Sequence, residues 1–155
     1  MRELLLRRKL DELDRRVVER AEKLIDDTDD SLDIVNPKKG LEDSQIRNVL
    51  AVAEETQDVS VVENFVKYQI GRSNKGEKWR YGEDKGIGFG ERMLEDIKEL
   101  RKWAGRERTE DIPEFELAIR LVRRYLGYLA RYFKYTQVRY ELERKKEEVG
   151  DVREV

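Results

Sequence analysis

Residues 117–140 read LAIRLVRRYLGYLARYFKYTQVRY, 24 residues with six basic side chains and no acidic one. Ile119, Val122, Leu126, Leu129 and Phe133 recur at three- and four-residue steps, the helical period, and predict a broad apolar face. On the other side, Arg120, Arg124, Arg131 and Lys134 fall within an arc of about 80°, with Gly127 in its middle. Such a segment is a long helix with one face for a core and a narrow cationic stripe. The stripe suits a polyanion backbone that must come close. Its other readings are an ordinary solvated face or a contact with an acidic partner. Solvated faces in this chain mix signs, as ELERKKEE at 141–148 does, and the stripe does not.

Working outward, Pro113 suits the first turn of this helix, where its missing donor is harmless, and the helix is predicted to run to about Glu148. Leu6, Leu10, Leu13, Val17, Ala21 and Leu24 make one face of an amphipathic helix over 2–25. The acidic, turn-forming run Asp26–Asp33 and Asn36-Pro37-Lys38-Lys39-Gly40 then form a linker. Leu41 with Asp43 or Ser44 reads as a hydrophobic staple and N-cap for a second helix, with Ile46, Val49, Leu50 and Ala53 inward. A third helix from about Asp58 places Val61, Val62, Phe65 and Tyr68 on the core side and ends at Gly71. Residues 73–90 hold five glycines and no periodicity, a long loop. A fourth helix spans about Glu91 to Ala104, ended by Gly105. The expectation is an all-α five-helix bundle with a long N-terminal helix and a glycine-rich loop between helices three and four. It forms a single domain, with residues 1–40 as N-terminal helix and acidic linker and 41–148 as the core bundle.

Composition narrows the chemistry. There is no Cys and no His among the 155 residues, so disulfides, zinc-thiolate sites and histidine general bases are excluded. No Ser sits in a nucleophile-elbow context, and paired carboxylates such as Asp96 with Glu99 fall on faces that look solvated. The protein is therefore read as a non-enzyme without cofactor or metal. The acidic run lacks the mid-loop glycine and terminal Glu of a calcium loop. Gly86-Ile87-Gly88-Phe89-Gly90 follows no strand and precedes no Lys-Ser/Thr, so a phosphate-binding loop is rejected. No apolar run approaches a membrane span and no signal peptide is visible, which predicts a cytoplasmic protein. Abundant Lys, Arg and Glu lean towards a thermophilic source. The net charge of −2 argues against a free-standing tight nucleic-acid binder. Charge is unevenly placed, however: residues 1–57 hold 11 basic and 15 acidic side chains, the remainder 22 and 20.

Outside the stripe, Arg47, Lys67 and Arg72 are candidate phosphate ligands, Arg72 most of all because it follows Gly71 at the mouth of the loop. Lys75-Gly76-Glu77-Lys78-Trp79-Arg80-Tyr81 alternates bases with aromatics. Lys78 and Arg80 could hold a sugar-phosphate chain while rings stack on bases. The competing reading is a loop whose Trp79 packs back on the core.

Three blocks carry a resemblance. Ser44-Gln45-Ile46-Arg47, Phe65-Val66-Lys67-Tyr68-Gln69-Ile70-Gly71-Arg72 and Arg124-Tyr125-Leu126-Gly127-Tyr128-Leu129-Ala130-Arg131-Tyr132-Phe133-Lys134-Tyr135 together resemble the small subunit of type III-A CRISPR effector complexes, the Csm small subunit. The similarity covers about residues 41–72 and 113–136. It implies a non-catalytic helical subunit present in several copies, stacked head to tail beside backbone and large subunits. It also implies contact with the backbone of guide RNA paired with target RNA, in antiviral defence. The blocks carry over Arg47, Lys67, Arg72, Arg124, Arg131 and Lys134 as RNA-facing residues, and the stripe adds Arg120. The first 40 residues lie outside the resemblance. A rival expectation is a structural protein-interaction module without RNA contact, its stripe docked on acidic surfaces.

Overall fold

The structure is a computed structural model; it describes residues 1–28, 33–36, 40–72 and 78–154, the last four of these by backbone alone. Among the described residues there are five α-helices and no strand: α1 (Arg2–Asp26), α2 (Asp43–Glu55), α3 (Val59–Gly71), α4 (Phe89–Glu107) and α5 (Glu114–Glu154). Short 3₁₀ turns lie at Asp33–Val35 and Glu83–Lys85. The helix α5 is the hub, and α1, α2, α3 and α4 all pack on it. Its apolar side, Leu117, Ile119, Val122, Leu126, Leu129 and Phe133, is fully buried, as the period requires. No helix among the described residues is long and apolar enough to cross a membrane.

The six periodic positions of α1 are buried together with Ile25. Arg2 bonds Glu116 at one end and Tyr132 donates to Asp26 at 2.7 Å at the other, so α1 runs alongside α5 in the same direction. Between α1 and α2, Ile34 and Val35 are buried, and Leu41 donates to the Ile34 carbonyl at 2.9 Å. A side chain at position 40 would fall onto that same carbonyl, so this close approach requires glycine. The remainder of the expected acidic run and Pro37, Lys38 and Lys39 lie outside the described residues.

Element ends differ from expectation in instructive places. The N-cap of α2 is Glu42, not Asp43 or Ser44: its side chain and that of Gln45 form a reciprocal capping box, with Glu42 N donating to Gln45 Oε1 at 2.9 Å. The core side of α3 is Val59, Val62, Val66 and Gln69. Val61 and Tyr68, expected inward, are exposed, Tyr68 by 61%. Helix α4 begins two residues early at Phe89 and passes through Gly105 to Glu107, while α5 runs to Glu154.

The glycine-rich loop is pinned where it is described. Trp79 is 1% exposed, with its ring 6.1 Å from that of Phe89. Trp79 O accepts from Gly90 N at 2.7 Å and Tyr81 O from Phe89 N at 2.9 Å, a short backbone clasp closing the loop onto the start of α4. A Cβ at Gly90 would press into the Ile70 side chain, so the clasp demands glycine. The residues 73–77, including Lys75 of the base-and-aromatic stretch, lie outside the described residues.

Candidate nucleic-acid interface

One line of α5 remains uncovered between α1 on one flank and α2 on the other, and it is the line of the cationic stripe. Gly127 lies in it, with open space where a Cβ would stand. The stripe is not uniformly free, which corrects the expectation of a seam without carboxylates. Arg124 donates to Asp14 Oδ2 at 2.7 Å and to Asp11 Oδ1 at 3.1 Å. Arg120 lies 3.6 Å from Glu3. Tyr128 also donates to Asp14, at 2.7 Å. The cause is α1, whose acidic flank is carried by its apolar face onto the half of the stripe nearest the start of α5. Arg131 and Lys134 lie beyond this reach. Both are exposed, and among the described residues no carboxylate lies within ion-pair distance of either. The Arg131 guanidinium sits over the Tyr128 ring at 5.8 Å, a cation–π contact at an exposed site.

Arg123, a stripe neighbour, has a different task. Its Nε donates to Ala53 O at 2.8 Å and its Nη2 to Thr56 O at 2.7 Å, satisfying carbonyls left open where α2 ends.

The other basic candidates lie along the α2–α3 pair. The connection of three residues, 56–58, turns α3 back along α2 and sets Arg47 and Lys67 at similar heights, with Arg72 beyond them. Lys67 is exposed; Arg47 is 3.1 Å from Asp43 in its own helix. Arg72 donates to Gln69 Oε1 at 3.1 Å and covers the exposed Tyr68 ring at 5.5 Å. Lys78 is 3.7 Å from Glu42. Arg80 is a fastener rather than a free ligand: it donates to Ile70 O at 2.7 Å at the end of α3 and lies 3.7 Å from Glu83. Trp79, being buried, is not a stacking platform, so the second of the two readings of this loop holds.

One polar constellation escapes sequence reasoning. Asp96, expected on a solvated face, accepts from Tyr125 Oη at 2.6 Å and from Arg20 Nε at 2.9 Å where α1, α4 and α5 meet. Burial raises its carboxyl above the ordinary value, outweighing the two hydrogen bonds, which act the other way. The Tyr125 hydroxyl, fully buried beside it, is pushed well above its ordinary range. The signal was present: Asp96 stands three residues after Met93 and one before Ile97, at the edge of the apolar arc of α4. Arg20 and Asp96 line a cleft of about 450 Å³ with Arg16, Lys23, Arg92, Trp103, Glu19, Asp27 and Glu95. Its four cations and four carboxylates balance, and no nucleophile faces it. Among the described residues no group of three or more potential metal ligands converges anywhere.

A raised carboxyl pKa means the fold favours the protonated form, so this contribution is complete below about pH 4 and is lost as pH rises through the raised value. Asp96→Asn keeps an acceptor for Tyr125 but no titration. The stability advantage of the native chain over Asp96→Asn is expected to shrink from pH 3.5 to pH 7, read as the difference in urea midpoints. An advantage that grows with pH would show that Arg20 dominates instead.

The chain matches no protein-family model, and no curated protein or solved structure is significantly similar to it.

Proposed function

We propose that this protein is a non-catalytic, RNA-contacting scaffold subunit of a type III-A CRISPR ribonucleoprotein complex. In this reading it sits in several copies beside backbone and large subunits, along the duplex of guide and target RNA. The observation that carries it is the uncovered line of α5, where Arg131 and Lys134 stand exposed and, among the described residues, unpaired with any carboxylate, next to open Gly127. Arg47, Lys67 and Arg72 are further candidates, and the guanidinium groups of Arg131 and Arg72 lie over the Tyr128 and Tyr68 rings, a geometry compatible with phosphate contact. Contacts of this kind read backbone rather than base edges, as an assembly that accepts any guide needs. With Arg120 and Arg124 engaged by α1, one copy offers few phosphate contacts, and affinity accrues from copies side by side.

The test is fluorescence anisotropy with a random-sequence RNA duplex. Micromolar or weaker binding by the isolated protein is expected, falling steeply with salt. Arg131→Glu with Lys134→Glu should remove it and leave helicity unchanged. Undiminished binding by the double variant would remove α5 from the interface.

The clasp of Arg124 by Asp11 and Asp14 favours a second reading, an interaction module whose stripe recognises acidic protein surfaces. No RNA binding at any salt, with retention on an acidic peptide, would select it.

A further inference from the structure

Two stretches of the chain are the inverse of residues 117–140. Residues 48–66 hold four acidic side chains and no basic one, and so do residues 109–119. The fold sets them side by side. The first contains the end of α2 and most of α3, and the second leads into α5, whose Arg123 reaches back to Ala53 O and Thr56 O. Between them lies a groove of about 600 Å³. Asp58 and Val59 line it from the start of α3, Arg101 from α4, and Glu114, Phe115 and Ala118 from α5.

Its floor is apolar, for Val59 and Ala118 are buried. Phe115 at its edge is 65% exposed, the most exposed large apolar side chain within the described helices. An aromatic ring left in water beside an apolar floor and ringed by charge has the form of a protein-docking site. The charge around it has one sign. Of the eight acids, Glu63 bonds Arg101, Glu116 bonds Arg2, and Glu114 lies 3.4 Å from Arg108. Glu54, Glu55, Asp58, Glu110 and Asp111 are exposed, each within four residues of a lining one. Among the described residues no Lys or Arg lies within ion-pair distance of any of these five. Arg101, the base that lines the groove, is already engaged by Glu63.

We infer that this groove docks a basic segment of another protein. An apolar side chain of that segment seats against Phe115 and the floor, while Lys or Arg on either side of it meets the exposed acids of both rims. RNA is the wrong occupant, since the rims repel phosphate. A second copy of this chain fits poorly. Its exposed basic run, 131–139, continues directly into ELERKKEE at 141–148, whose four acids would be laid against the acidic rims. Phe115 lies about 140° round α5 from Arg120, so a partner seated here leaves Arg131 and Lys134 uncovered.

The inference does not rest on RNA binding and is tested without RNA on the full chain. The probe is a short labelled helical peptide built of leucine and lysine alone, read by fluorescence anisotropy. It should bind, and its counterpart built of leucine and glutamate should not. Phe115→Ser should weaken binding at least about tenfold, as loss of a central aromatic anchor does, with circular dichroism unchanged because the ring lies outside the core. Glu55→Lys with Glu110→Lys should also weaken it and make what remains less sensitive to salt. Arg131→Ala with Lys134→Ala should leave it as it is, which separates this groove from the stripe. Failure of the lysine peptide to bind overturns the inference, and so does binding that Phe115→Ser leaves intact. Self-association of the native chain that Phe115→Ser abolishes would put a second copy in the groove and overturn it equally.

Discussion

Trp79→Ala should cost about 3–5 kcal/mol of stability, the range for deleting a large buried aromatic. The indole fills the space between the start of α4 and the end of α3, and its backbone forms the clasp with Gly90. Trp79→Phe should cost far less. The indole Nε1 is buried and finds no acceptor among the described residues. An orphaned donor of this kind opposes folding by about 1–3 kcal/mol, so its removal offsets the lost ring area. Urea unfolding of the two variants gives the comparison. A Phe variant as unstable as the Ala variant would mean that Nε1 has a partner after all.

Arg124→Glu is expected to damage the fold, whereas Arg131→Glu, two turns further along the same stripe, is not. Two hydrogen bonds between Arg124 and the carboxylates of Asp11 and Asp14 would be lost, the half-buried one to Asp14 of a class worth about 1.5–3 kcal/mol and the exposed one to Asp11 up to about 1 kcal/mol. The new carboxylate would face those two acids, with Tyr128 left to satisfy Asp14 alone. The damage should localise: amide exchange in α1 should rise before that in α2 or α3. Arg131→Glu at its exposed site should change stability by no more than about 0.5 kcal/mol. Equal destabilisation by both would mean that Arg131 also holds the fold, and would disqualify it as a free ligand. Arg124 is consequently the wrong residue with which to probe RNA contact, although the resemblance includes it.

The contrast between these two arginines shows what the sequence could and could not carry. Periodicity within a helix is a local property. The buried faces of α1 and α5 follow from it position by position, because each helix has one apolar side and one charged side. In α3, apolar residues stand at 59, 61, 62, 65, 66, 68 and 70, an arc of about 200°, so period alone does not choose which part of it faces the core. The choice of Val59, Val62, Val66 and Gln69 is made by packing on α2, α4 and α5, and it leaves Tyr68 outside beside Arg72.

Pairings between distant segments were beyond local reading. Glu3 against Arg120, Asp11 and Asp14 against Arg124, and Arg20 against Asp96 join residues far apart in the chain, and nothing within residues 117–140 reports the acids that α1 brings. The loop was half legible. Its glycines suggested freedom, while the large aromatic among them was the sign that the segment had somewhere to dock.

The 41-residue continuity of α5 has a mechanical consequence. Phe115 near its foot and Val149 near its tip are joined by unbroken hydrogen-bonded backbone, about 50 Å apart along the axis. The helix is a mast stepped in the bundle, its tip at a fixed standoff from its foot. A push there is felt as torque on the arginine line rather than absorbed by a hinge.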